Sequence, residues 1–116
     1  MKVKRIVRDV KSTELEQADR FYRDILGMEL LMDMGWIRTY GAPDPAPVQL
    51  TVASQGGSDT EVPDLSIEVD DLETAIQRVE LAGLPFEYGP VSEPWGVRRF
   101  YVRDPFGQLV NILQHQ

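Results

Sequence analysis

The chain has 116 residues, 42% apolar and 27% charged, a size and balance that suit one globular domain and exclude overall disorder. Lys and Arg number 12 against 19 Asp and Glu, a formal charge of -7, so the basic footprint that nucleic-acid backbones require is missing. With no cysteine, disulfides, thiolate metal sites, CxxCH haem attachment and cysteine nucleophiles are excluded. No signal-peptide core or apolar run of membrane-spanning length occurs, so the expected location is cytoplasmic, with no membrane partner.

Val3 to Val10 reads as a strand, with Val3, Ile6, Val7 and Val10 set among basic residues. Thr13 and Glu16 match a capping box. Behind it Leu15, Ala18, Phe21, Tyr22, Ile25 and Leu26 recur at helical spacing up to a stop at Gly27, with Phe21, Tyr22 and Ile25 expected in the core. Glu29–Met34 and Trp36–Tyr40 read as strands around Gly35. Three prolines make 41–47 a loop. Val48–Ala53 is a strand whose Val48, Leu50 and Val52 face one way and whose Gln49, Thr51 and Ala53 face the other. Ser54–Pro63, with Gly56-Gly57-Ser58-Asp59, reads as a flexible connector.

The order then repeats. Leu65–Val69 is a strand, and Asp70 with Glu73 caps a helix whose apolar face is Leu72, Ala75, Ile76 and Val79, stopped by Gly83. Phe86–Tyr88 reads as a short strand, Gly89–Trp95 as a loop with two prolines, Arg98–Val102 as a strand, Asp104–Gly107 as a turn and Leu109–Leu113 as the closing strand. Val10 and Ile67, Leu15 and Leu72, Glu16 and Glu73, and Ala18 and Ala75 each stand 57 positions apart. Val48-Gln49-Leu50 matches Val110-Asn111-Ile112 by eye. The fold class is therefore α+β, one domain over 1–116 built from modules 1–54 and 62–116.

Strand, helix and three strands, written twice, resembles the vicinal oxygen chelate superfamily, which includes glyoxalase I, extradiol dioxygenases and the fosfomycin- and bleomycin-resistance proteins. The resemblance rests on Phe21-Tyr22-Arg23-Asp24-Ile25-Leu26-Gly27-Met28, Ile67-Glu68-Val69-Asp70-Asp71-Leu72, Pro94-Trp95-Gly96 and Arg103-Asp104-Pro105-Phe106-Gly107-Gln108-Leu109. It implies tandem βαβββ modules forming curved mixed sheets around a cleft. It also implies four places, one on the first and one on the last strand of each module, where metal-using members carry His, Gln or Glu. Here those places fall at Val7, Gln49, Asp64 and Asn111. One aliphatic group, two amides and one carboxylate make a poor set for a catalytic divalent ion. The sole histidine, His115, reads as a frayed-end residue.

With no metal and no cofactor expected, the implied cleft becomes a binding site for a small molecule. Gln49, Thr51, Asp64 and Asn111 would orient the ligand, Trp36 and Trp95 would wall it, and Tyr40, Tyr101 and Arg98 would add contacts. Tyr88 and Phe100 are further aromatic candidates. Only one of Arg98 and Arg99 should enter, because strand residues alternate. Aromatic walls and acidic surroundings suit a planar or cationic ligand. The resulting reading is a metal-free, drug-sequestering homodimer similar to the bleomycin-resistance branch. Its rivals are a glyoxalase-like lyase or isomerase, a dioxygenase with a divergent metal site, a metal-independent enzyme using Asp64 as base, and an interaction module without a small-molecule site.

Overall fold

The computed structural model describes residues 1–42 and 48–116, Val48 by its backbone alone. The expected loop at 41–47 therefore falls mostly outside the described residues, and its first two residues, Gly41 and Ala42, extend a strand. The chain divides into a first unit, Val7–Val62, and a second unit made of Met1–Ile6 with Pro63–Gln116. One strand, β1 (Val3–Lys11), supplies residues to both.

The first unit continues through α1 (Leu15–Ala18), a π-helical segment Asp19–Ile25, and strands β2 (Glu29–Asp33), β3 (Ile37–Ala42) and β4 (Val48–Ala53). Its strands run in the order β2-β3-β4-β1, with β1 and β4 parallel and the other pairs antiparallel. Helical residues pack Leu15 and Ala18 on Tyr40 and Val52, with Val10, Tyr22, Met28, Leu30 and Leu50 around them. The expected capping box does not form. Glu14 holds the N-cap, its side chain capping no helix N–H among the described residues, and Ser12 Oγ accepts from the Glu14 N–H at 3.0 Å.

Beyond Ala18 the helix widens, and the Leu26 N–H reaches the Phe21 carbonyl five residues back at 3.1 Å. A π-turn takes more residues than an α-turn, so the apolar stripe loses phase with the sheet. Phe21 is consequently half exposed and Ile25 71% exposed, which corrects their expected core placement, whereas Tyr22 remains packed.

The second unit holds β5 (Leu65–Val69), α2 (Leu72–Leu81), β6 (Tyr88–Glu93), β7 (Val97–Arg103) and β8 (Leu109–His115), ordered β5-β8-β7-β6. Again the first and last strands are parallel and the rest antiparallel, so both units share one βαβββ topology. Val69, Leu72, Ala75, Ile76, Phe100, Val102 and Val110 form its core between helix and sheet. Asp71, not Asp70, caps α2, accepting from the Thr74 N–H at 3.1 Å and the Thr74 hydroxyl at 2.6 Å. These two bonds hold its carboxyl below the ordinary range. Asp70 instead accepts the Lys2 N–H at 2.7 Å, and its carbonyl accepts from Gln114 Nε2.

Three further expectations change. Residues 89–93 are strand rather than loop, because Pro90 lies on an edge strand at a register shift between Tyr88 and Val91, where a missing N–H is tolerated. The connector is a hydrogen-bonded turn, with Gly56 N–H to the Thr60 carbonyl at 2.8 Å, and Gly56 and Gly57 are buried. His115 ends β8 in regular pairing with Val97 and meets Glu68 Oε2 at 2.9 Å, so that end is anchored. The Asp104 turn forms as expected, its Oδ1 accepting from the Phe106 and Gln108 N–H groups at 2.8 and 2.9 Å.

Candidate functional site

In each unit one sheet face packs on the helix, and strand alternation sends the intervening residues to the other face. In the first unit that second face carries a row of Asp9, Thr51 and Thr39, aligned across β1, β4 and β3. All three are buried, and the two threonine hydroxyls meet at 3.0 Å. Gln49 lies two residues from Thr51, opposite Gly41, and is half-buried. Tyr40 has the opposite parity. It is fully buried against the helix, and its hydroxyl donates to Asp19 Oδ1, which removes it from the face that holds Thr51. Trp36 is half-buried just before β3, its carbonyl accepting from the Ser54 N–H at 2.9 Å.

In the second unit the corresponding row is Ser66, Asn111, Tyr101 and Tyr88, aligned across β5, β8, β7 and β6. Asn111 is 7% exposed; its Nδ2 donates to Ser66 Oγ at 3.1 Å, while its buried Oδ1 has no hydrogen-bond partner among the described residues. An acceptor in that state costs about 1–3 kcal/mol of desolvation. The register also corrects the match between the halves. Val10 faces Val52 and Ile67 faces Ile112, so the counterpart of Asn111 is Thr51, two residues from Gln49.

Arg98 and Arg99 divide between the faces, in the reverse of the expected assignment. Arg98 shares the parity of Phe100 and pairs with Glu73 on α2. Arg99 turns to the face of Tyr101 and is only 3% exposed. Its Nε and Nη2 donate to Glu93 Oε2 at 3.1 and 2.8 Å, and its Nη1 donates to the Tyr101 hydroxyl at 3.1 Å. The guanidinium carbon lies 5.3, 5.1 and 5.0 Å from the ring centres of Tyr88, Trp95 and Tyr101. The Tyr88 hydroxyl closes the network by donating to Glu93 Oε1 at 3.1 Å. Sequence reading weighed Arg99 but chose Arg98, and it assigned no role to Glu93, Ser66 or Asp9. Parity was the available signal: with Phe100 and Val102 as core, Arg99 and Tyr101 must share the other face.

The places that the resemblance assigns to a metal do not fit one. Val7 has no donor, Asp64 Oδ2 accepts the Leu109 N–H at 2.8 Å, and Asn111 binds Ser66 across the strand rather than Asp64. Among the described residues no three His, Cys, Asp or Glu side chains are grouped to hold an ion.

Residues 12–112 match the model of the Glyoxalase/Bleomycin resistance protein/Dioxygenase superfamily. The chain belongs to that superfamily. Solved structures extend the agreement in fold. A superfamily member from Vibrio splendidus 12B01 superposes with a TM-score of 0.69 at 18% identity, over 99% of this chain and 100% of its own. A Legionella pneumophila protein described as an NAD-dependent benzaldehyde dehydrogenase gives 0.76 at 13%, over 97% and 100%. Methylmalonyl-CoA epimerase from Mycobacterium tuberculosis gives 0.63 at 19%, over 98% and 87%. Within the superfamily, this chain's described residues offer no evident metal site. Among those residues, no helix is long and apolar enough to cross a membrane.

Proposed function

We propose that this superfamily member binds a small planar organic molecule reversibly and without a resident metal, on the face of the second unit that carries Asn111, Tyr101 and Trp95. The ligand is held and released unchanged, which lowers its free concentration. One observation carries the reading: the Asn111 amide is buried, fixed by Ser66, and keeps an acceptor oxygen without a partner among the described residues, on the strand position paired with Tyr101. Precisely oriented polar atoms set among aromatic rings are the usual composition of a small-molecule site. A ligand that donates an N–H or O–H to Asn111 Oδ1 and lays its plane against the rings satisfies both features.

The test is calorimetric titration with benzamide and its planar amide analogues, followed by recovery of the ligand. Saturable binding that Asn111→Leu weakens by about tenfold or more, with the ligand returned intact, is the expected result. Elemental analysis of protein purified without a chelating column completes it. One tightly held transition ion per chain, or a chemically altered ligand, would overturn the proposal in favour of an enzyme.

A further inference from the structure

The net charge of -7 favours a cationic ligand on electrostatic grounds, yet the groups that recognise a cation in the second unit surround one of the chain's own side chains. Three aromatic rings within about 6 Å of one point, backed by a carboxylate, make a cation cage. Tyr88, Trp95 and Tyr101 are those rings and Glu93 is that carboxylate. Arg99 occupies the centre. Its guanidinium meets Glu93 through two nitrogens and Tyr101 through the third.

We infer that Arg99 is the built-in occupant of a guanidinium cage and that it sets the specificity of this face against cationic ligands. A second cation brought to the face meets Arg99 at close range, and it also finds Glu93 already neutralised and all three rings in use. An uncharged planar ligand needs no counter-ion and none of the ring faces that Arg99 covers, and it can still donate to Asn111. This deepens the proposal above, since it rests on the same face being the ligand face. It also reverses the preference that overall charge suggests.

The experiment compares benzamidinium with its uncharged isostere benzamide, and adds methylguanidinium as a copy of the Arg99 head group. Wild-type protein is expected to bind benzamidinium at least about tenfold more weakly than benzamide, and to show no methylguanidinium binding at millimolar concentration. Arg99→Ala vacates the cage and leaves the Glu93 charge. That variant is expected to gain at least about tenfold in benzamidinium affinity and to be stabilised against heat by methylguanidinium. Wild-type preference for benzamidinium, or an Arg99→Ala protein indifferent to both cations, would overturn the inference. If wild type binds none of the probes, the proposed function fails, and the cage is then judged by the variant's gain alone. Should Arg99→Ala not fold, nuclear magnetic resonance of the wild type decides. Ring-current-shifted Arg99 side-chain protons with a slowly exchanging Nε–H support the cage, and random-coil shifts refute it.

Discussion

Arg99 and Glu93 form an ion pair 2.8 Å long in which both side chains are almost wholly removed from solvent. Their stems stand six residues apart on β7 and β6, joined by the turn at Gly96. Such a pair repays its desolvation only when the remaining hydrogen-bonding groups are also satisfied, and here the hydroxyls of Tyr88 and Tyr101 contribute. Removing one partner strands a buried charge, at a cost of about 3–5 kcal/mol. Glu93→Ala and Arg99→Ala should each lose that much in urea unfolding. The double variant Glu93→Leu/Arg99→Met should lose less than the sum of the two single losses, because neither member of the pair is left behind without the other. A double loss equal to that sum would show that the pair contributes only packing.

Tyr40 yields a prediction at the opposite end of the pH scale. Burial first, and then its hydrogen bond to Asp19, raise its phenol from 10.0 to about 12. A raised value means that the folded state binds the proton more tightly. This contribution is therefore complete below pH 10 and is lost as pH climbs through 12. Wild-type stability should fall across that interval more steeply than that of Tyr40→Phe, measured as urea midpoint against pH. Parallel curves would exclude a role for the phenolic proton.

The topology was legible because two apolar stripes of helical period, each followed by three alternating strands, leave few arrangements. Details with the same period were not. Shifting the match between β4 and β8 by two residues preserves every inward and outward assignment, so Gln49 and Thr51 compete equally as the counterpart of Asn111 until the parallel pairings with β1 and β5 are known. Arg98 and Arg99 are indistinguishable by type, and only the burial of Phe100 fixes which of them turns to the helix. The π-helical segment breaks a periodicity that Phe21 and Ile25 otherwise continue, and no local residue announces it. Trp95 was visible as an aromatic candidate, but its engagement with Arg99 depends on the turn between β6 and β7.

Glu68 gives the acid-side counterpart. Its side chain is largely buried, which opposes ionisation, but the hydrogen bond with His115 and the charges of Arg5, His115 and Lys4 prevail and hold its pKa below 4.5. For a depressed carboxyl the stabilisation is present above the ordinary value of 4.5 and is lost as pH falls below it. Glu68→Gln should therefore lower the unfolding midpoint at pH 7 and converge with wild type in strong acid. A constant difference across the range would assign the effect to packing instead.

Gly89 separates backbone conformation from close approach. It adopts φ +75°, and a Cβ placed on it would lie 2.7 Å from the Arg99 carbonyl oxygen, 3.1 Å from the Val91 nitrogen and 3.3 Å from the Phe100 Cα. All three are backbone atoms, which cannot rotate aside as the end of a flexible side chain can. Gly35 adopts a similar φ of +86°, but among the described residues nothing lies within 4 Å of where its Cβ would be. Gly35→Ala should therefore cost only the left-handed conformation, about 1–2 kcal/mol. Gly89→Ala must pay that cost and also push β6 from β7 at the carbonyl of Arg99, so its loss in urea unfolding should be clearly larger. The displacement would also loosen the cage, because Tyr88 adjoins Gly89 and Trp95 follows β6. Upfield ring-current shifts of the Arg99 side-chain protons should shrink in Gly89→Ala and persist in Gly35→Ala. Equal stability losses with unchanged Arg99 shifts in both variants would mean that the close approach of β6 to β7 does not hold the cage in place.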